Sequence, residues 1–359
     1  MSILDALEAT FTNMSIISSI TSTVFIILLG FYLRKRGVFG EDFGKTLSKV
    51  VLSVALPALA FKSFMQPIDG KTLSQGMSVL IWGILIYIIL IIITPFSYMK
   101  YPKDKKEVLA ILTTFGSTTF FGIPIVGAVY GAKGIMYSSI FNIGYRIFLY
   151  SYAYIRMSGL KMEVSNIKKM FLNPIVIATF AGLILWMVQD FAPMVTVKEA
   201  INGVVAPDAA TIQVAFYRID QTAIWLFKPL SYLGALASPL AWLSIGATLG
   251  SISFKKAASD KTSWYYSFNK VILVPLINLV LLAILTATNI LPVDHIALAT
   301  VVIMMATPTA TVAASYAISF DRDALLASNA SLISTVVAVI ATPIWIALLE
   351  ILNQVGLFK

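Results

Sequence analysis

The feature that most constrains this chain is a series of long, continuous apolar runs separated by short polar or basic segments. Of its 359 residues, 58% are hydrophobic and only 12% are charged, whereas a soluble globular protein is about 25% charged. The runs are continuous, unlike the alternating segments of a transmembrane β-barrel. Runs of roughly 20 apolar residues are long enough to cross a bilayer as helices. The sequence therefore predicts an all-α polytopic membrane protein.

About ten such runs can be distinguished, and basic clusters follow the odd-numbered ones. These clusters lie at 34–36, 100–106, 161–169 and 255–261. Because Lys and Arg accumulate in cytoplasmic loops, we expect these four loops on the cytoplasmic side of the cell membrane and both termini on the opposite side. The predicted spans cover about 16–33, 50–65, 77–98, 108–130, 135–154, 174–188, 224–249, 264–288, 295–318 and 324–349.

The two halves of the chain repeat the same landmarks. A proline in the second span, a proline in the fourth and an asparagine in the fifth recur 182–187 residues later, as Pro57 and Pro239, Pro124 and Pro308, and Asn142 and Asn329. Each half has about five spans, so the second half enters the membrane from the opposite side. This pattern predicts two inverted five-helix repeats, 1–170 and 171–359, a plan found in many secondary carriers. The second half also contains a polar insertion at about 193–221, where we expect a short amphipathic or interfacial helix.

The fourth and ninth spans carry Gly, Ser, Thr and Pro at mid-span. Such helix breakers are tolerated in a bilayer only where protein or a water-filled cavity satisfies the freed backbone groups, and paired interruptions indicate a transporter's substrate site. We expect the two broken helices to cross at Pro124 and Pro308, where half-helix N-termini can bind an anionic group. The alternative is a pair of kinks packed against neighbouring helices. The other side chains expected at the crossing are Ser117, Thr118, Thr119, Gly122, Thr307 and Thr309.

Asn142 and Arg146 lie one helical turn apart on the fifth span. A charge inside a membrane is costly and indicates function by default, and arginine binds carboxylates through two parallel hydrogen bonds. Arg146 could instead snorkel or cap the carbonyl groups of a broken helix. Asn329 occupies the repeat-related position. No Asp or Glu lies clearly at mid-span, which argues against ion coupling without excluding it.

The composition also limits the chemistry. The chain has no cysteine and a single histidine, His295, so disulfides, thiolate metal sites and the usual zinc clusters are excluded and no metal or cofactor is expected. The net charge of +9 is explained by cytoplasmic loops rather than by nucleic-acid binding. No Ser or Thr is paired with a base in a known motif, and the Gly-rich segments lack a P-loop lysine, so we do not expect an enzyme.

Five stretches, at 47–59, 120–125, 140–142, 238–247 and 307–310, resemble the auxin efflux carrier (PIN-like) family in a bacterial form. They keep the family's order over nearly the whole chain. The resemblance implies ten helices in two inverted repeats. Helices 1, 2, 6 and 7 would form a scaffold and a homodimer surface, and helices 3–5 and 8–10 a moving transport domain.

The resemblance also bears on the site. It implies that Pro124, Pro308 and Asn142 belong to it, whereas Ser117 and Val312 stand where many members have asparagine. Members carry auxin in plants, and malonate, malate or similar carboxylates are proposed substrates in bacteria.

The predicted function is therefore secondary transport of a small organic anion, such as malate, malonate or an auxin-like acid, by an elevator-type movement within the lipid bilayer. One alternative is a sodium-coupled symporter of the bile-acid type, which has a similar inverted-repeat plan. Another is a membrane sensor that keeps a carrier fold and binds its ligand without moving it. Sodium dependence of uptake would indicate the first alternative, and saturable binding without flux the second.

Overall fold

The computed structural model describes residues 14–159, 172–201, 203–251 and 257–355. Within these ranges the chain is helical except for two small β-ladders and the connecting turns. Several sequence predictions lie outside the described residues: the basic cluster 161–169, the start of the cluster 255–261, the boundary between the two halves, and both termini.

The helices of the first half begin and end close to the predicted spans. They are α1 (Met14–Lys35), α2 (Phe43–Val50), α3 (Leu56–Ser63), α4 (Gly70–Ser97), α5 (Lys103–Thr114), α6 (Ile123–Phe148) and α7 (Tyr154–Ser158). Gly131, with a φ of 60°, divides α6 into two helical parts at the predicted turn between the fourth and fifth spans. Three π-helical turns join neighbouring helices, at Val51–Ala55, Thr118–Gly122 and Leu149–Ala153.

The remaining described helices lie in the second half of the chain. They are α8 (Pro174–Met187), α9 (Ile219–Thr222), α10 (Ile224–Ala235), α11 (Ala237–Ser251), α12 (Lys261–Phe268), α13 (Val274–Ala287), α14 (His295–Met305), α15 (Thr311–Ser319) and α16 (Ala324–Gln354). A fourth π turn, Asn269–Leu273, joins α12 to α13.

Among the described residues, six helical stretches are long and apolar enough to cross a membrane: Thr46–Ser63, Gly70–Ser97, Thr118–Ser158, Ile224–Gly250, Lys261–Ala287 and Ala324–Gln354. α8 and α14 are shorter apolar helices. At 1.5 Å per residue, the 28 residues of α4 extend about 42 Å, more than the roughly 30 Å of a hydrocarbon core. The prediction of a helical membrane protein is confirmed.

Three of the π turns end two residues before a proline, namely Pro57, Pro124 and Pro275. Proline has no N–H and therefore leaves the carbonyl group four residues earlier without its helical partner. At Pro275 the freed carbonyl belongs to Val271, and it accepts a hydrogen bond from the Trp345 indole at 3.0 Å. A π turn thus widens the helix before each of these prolines, and at Pro275 a side chain of α16 satisfies the freed carbonyl group.

The helices that correspond to predicted spans 1, 2, 6 and 7 pack against one another. α11 lies along α1, and α8 and α10 both pack on α3. The contact between α1 and α11 is so close that a Cβ on Gly246 would lie 2.0 Å from the Ile27 carbonyl oxygen. α4, α5 and α6 form a second group, which continues through α14 to α13.

The polar insertion differs from the sequence prediction. Instead of an interfacial helix it forms two antiparallel ladders, in which Met194–Lys198 pairs with Thr211–Ala215 and Ala200–Ile201 pairs with Val204–Val205. Only the single turn of α9 is helical. The strands are rich in β-branched Val, Thr and Ile, which favour extended backbone, and this local preference prevails.

Candidate functional site

The two interrupted helices meet through their unwound backbone. The Ser117 N–H donates a hydrogen bond to the Pro308 carbonyl at 2.7 Å, and the Ala310 N–H donates to the Phe115 carbonyl at 3.0 Å. The segments form an isolated antiparallel bridge. Pro308 therefore lies at the meeting point, as expected. Pro124 lies downstream, near the start of α6, because the backbone unwinds before the proline-induced π turn.

Gly116 allows the two segments to approach closely. A Cβ at this position would lie 2.3 Å from Thr307 Oγ1 and 2.8 Å from Lys270 Nζ, whereas ordinary contacts begin at about 3.4 Å. Only glycine leaves this space open. Because Gly116 has no side chain, the Thr307 hydroxyl and the Lys270 ammonium can lie against the backbone of the crossing.

Two helix N-termini begin immediately beside this bridge. The π turn that leads into α6 begins at Thr118 and α15 begins at Thr311, and no side chain caps either N-terminus. The first N–H groups of a helix have no intrahelical acceptor and form its positive end. Thr311 is exposed and Thr119 is half-buried, whereas Thr118 is completely buried.

Asn142 and Arg146 lie in the interior, as the sequence predicts. Asn142 is completely buried, and its Nδ2 donates to Thr119 Oγ1 at 3.4 Å. Its Oδ1 and the Nη2 of Arg146 are buried without a hydrogen-bond partner. The fifth span therefore brings an amide group to the Thr119 side of the crossing and an arginine one turn further along.

Other predicted residues hold the crossing together. The Thr309 hydroxyl is engaged by Tyr266 at 2.7 Å and by Ser334 at 2.9 Å. Ser334 belongs to α16, so this helix contacts the crossing through Ser334, while Asn329 is half-buried more than one turn earlier.

The remaining predicted residues are also packed at the crossing or close to it. The Thr307 hydroxyl donates to the Met304 carbonyl at 2.9 Å, and a Cβ on Gly122 would lie 2.6 Å from Met304 Sδ. Thr118 is completely buried. The Pro124 carbonyl accepts a hydrogen bond from Ser238 of α11 at 3.0 Å.

Sequence reasoning missed Lys270. This residue lies on the π turn between α12 and α13, its side chain is completely buried, and its Nζ has no hydrogen-bond partner. The rule that singles out Arg146 applies equally here, because Lys270 lies well inside a predicted span. Tyr266, one turn earlier, faces the same crossing, with its hydroxyl 3.0 Å from the Leu112 carbonyl.

A cavity of about 110 Å³ lies between α4 and α13. Its lining is mostly apolar, with polar groups from Thr94, Ser97, Thr113 and Asn269. Among the residues that the structure describes, no three His, Asp or Glu side chains form a group that could hold a metal ion.

Residues 15–346 match the family described as membrane transport protein. An uncharacterized transporter of Methanothermobacter thermautotrophicus is 25% identical over 340 residues, which cover 91% of this chain and 96% of that protein. An uncharacterized transporter of Methanocaldococcus jannaschii is 21% identical over 240 residues, 64% of this chain and 68% of that protein. The chain therefore belongs to the membrane transport protein family, the auxin efflux carrier-like family whose motifs its sequence carries, and is a multi-pass membrane protein.

Proposed function

We propose that this chain is a secondary transporter of a small organic anion, which it binds through a carboxylate at the crossing. The observation that carries the proposal is the pair of uncapped helix N-termini beside the bridge, at Thr118 and Thr311. Backbone N–H groups and the positive ends of helices bind anions without needing a charged side chain. Discontinuous membrane helices use such ends to hold anionic substrate groups.

Neighbouring side chains support an anionic ligand. The Asn142 amide contacts Thr119, which is half-buried beside the crossing. Rotation of this amide by 180° would present its NH₂ group to a carboxylate while the Thr119 hydroxyl donates to Oδ1. Arg146 adds a buried positive charge with a free N–H, which a bound anion would compensate.

The distribution of acidic residues agrees with this charge. Every Asp and Glu in the described ranges lies in a connecting segment or within five residues of a helix end. The buried charged side chains beside the crossing, Arg146 and Lys270, are both cationic, and an anionic cargo would compensate Arg146. Within a medium of low dielectric constant this compensation is worth far more than in water.

The elevator mechanism and the inverted repeat form the finer part of the proposal. The packing of α1, α3, α8, α10 and α11 on one another suits a static scaffold. The crossing is bound to α12 and α16 through Tyr266 and Ser334, which would let these helices move with it as one unit. The homodimer in the cell membrane stays a prediction from the family resemblance.

The test is uptake of radiolabelled mono- and dicarboxylates into proteoliposomes, under imposed membrane potentials and ion gradients. We expect at least one carboxylate to accumulate with saturable kinetics. Asn142→Leu should abolish uptake, whereas Asn353→Leu, near the end of α16, should leave it intact. If no carboxylate moves under any gradient, the transporter proposal is wrong.

The same assay addresses the two alternatives. Uptake that requires sodium would favour the bile-acid type of symporter. Saturable binding to purified protein together with no flux would favour a sensor that keeps a carrier fold.

A further inference from the structure

Four helix ends meet at the crossing, and they differ in sign. The N-terminal ends at Thr118 and Thr311 are positive, whereas α5 and α14 reach the crossing with their C-terminal ends, at Thr114 and Met305. A helix C-terminus carries carbonyl groups without helical partners and a partial negative charge. In broken-helix carriers, such ends and the unwound carbonyl groups coordinate the coupling cation.

Lys270 brings a cation to these negative ends. Its Nζ lies against Gly116, two residues after the end of α5, on the side where Thr307, two residues after the end of α14, also approaches. Tyr266 lies one turn earlier on the same helical face and already donates to the Leu112 carbonyl in the last turn of α5. Tyr266 thus donates to the end of α5, and the Lys270 ammonium lies close to the same end without a hydrogen-bond partner of its own.

We propose that the Lys270 ammonium is a built-in substitute for a coupling cation at the crossing. A lysine ammonium is a compact point charge with three donors, so it can neutralise the negative helix ends as a bound sodium ion would. The consequence for transport, which rests on the proposed function, is that anion uptake does not require sodium.

A direct role for Lys270 as a substrate ligand fits the structure less well. Lys270 Nζ lies against Gly116, close to the C-terminal end of α5, whereas Asn142 contacts Thr119 at the N-terminal end that begins at Thr118. The crossing therefore separates an anion side from a cation side.

The test needs no substrate and does not depend on transport. Purified wild-type, Lys270→Ala and Lys62→Ala proteins are unfolded thermally in equal concentrations of sodium, choline or methylammonium chloride. Lys62 is the control, because it is half-buried against the Phe227 ring, 5.7 Å away. We expect Lys270→Ala to unfold at a lower temperature in choline and to recover in sodium or methylammonium. The wild type and Lys62→Ala should show no difference between salts.

A sodium-specific rise in the melting temperature of the wild type would overturn the proposal, and so would a Lys270→Ala protein that no cation stabilises. If Lys270→Ala does not fold, Lys270→Met provides the second measurement, since it keeps the length of the side chain. If a buried charge is not compensated, replacing its side chain by an apolar one stabilises the protein. A Lys270→Met protein that melts above the wild type in choline would show that the helix ends do not compensate the ammonium, whereas a lower melting temperature supports the proposal.

Discussion

The Gly116→Ala substitution tests whether the close approach at the crossing is a structural requirement. The new methyl group would lie 2.3 Å from Thr307 Oγ1, about 1 Å closer than an ordinary contact. The Thr307 hydroxyl cannot rotate away without losing its hydrogen bond to the Met304 carbonyl, worth about 0.5–1.5 kcal/mol. If the backbone moves instead, overpacking costs roughly 1–3 kcal/mol. We expect the free energy of unfolding to fall by about 1–3 kcal/mol.

The assay is chemical denaturation in detergent micelles, followed by tryptophan fluorescence. Gly40→Ala is the matched control, because a Cβ there meets nothing within 4 Å. The double variant Gly116→Ala, Thr307→Ala removes the clash with the Thr307 hydroxyl and keeps the contact with Lys270, so it should be less destabilised than the sum of the two single variants, by about 1 kcal/mol. Equal stability of Gly116→Ala and Gly40→Ala, or strict additivity in the double variant, would refute the reasoning.

Three further predictions concern other parts of the molecule. Asp220→Ala should destabilise the protein by roughly 3–5 kcal/mol, because it leaves Arg218 buried without the carboxylate that it now contacts at 2.7 Å. The same denaturation assay measures this loss, and Asp208→Ala, at an exposed position, is the control. Asn142→Leu should raise the Kd for a transported carboxylate, measured by isothermal titration, and unchanged affinity would remove it from the site. Asp69→Ala should cost about 1 kcal/mol at neutral pH, because its carboxylate caps α4. Hydrogen bonds from Thr72 lower the pKa of Asp69 below 3.8, so this stabilisation is fully present above pH 3.8 and disappears as the pH falls through the lower folded value.

Much of the fold could be predicted because the bilayer restricts a chain to few solutions. Long apolar runs identify membrane helices, and paired breakers mark the places where the backbone must unwind. The meeting of the two interrupted helices follows from this pattern. The prediction of a helix in the insertion is wrong because this polar segment is not required to form helices as a membrane span is. Its β-branched residues favour extended backbone, and they determine its structure.

The site was predicted only in part, because side-chain direction depends on packing that the sequence does not show. Asn142 and Thr119 are both predicted site residues, and the structure brings them into contact; their role in binding stays a prediction. Thr309 is another predicted site residue, and in the structure its hydroxyl is hydrogen-bonded to Tyr266 and Ser334, which the sequence pattern does not indicate. Lys270 was overlooked among apolar neighbours, although an intramembrane charge is informative by itself.

The central claim is that the crossing binds an organic anion at its helix N-termini. The most direct measurement is a cryo-electron microscopy structure of the protein with its tightest-binding carboxylate. We predict density for the carboxylate within hydrogen-bonding distance of the backbone N–H groups that begin at Thr118 and Thr311. Density in the cavity between α4 and α13, or anywhere away from these N–H groups, would contradict the account.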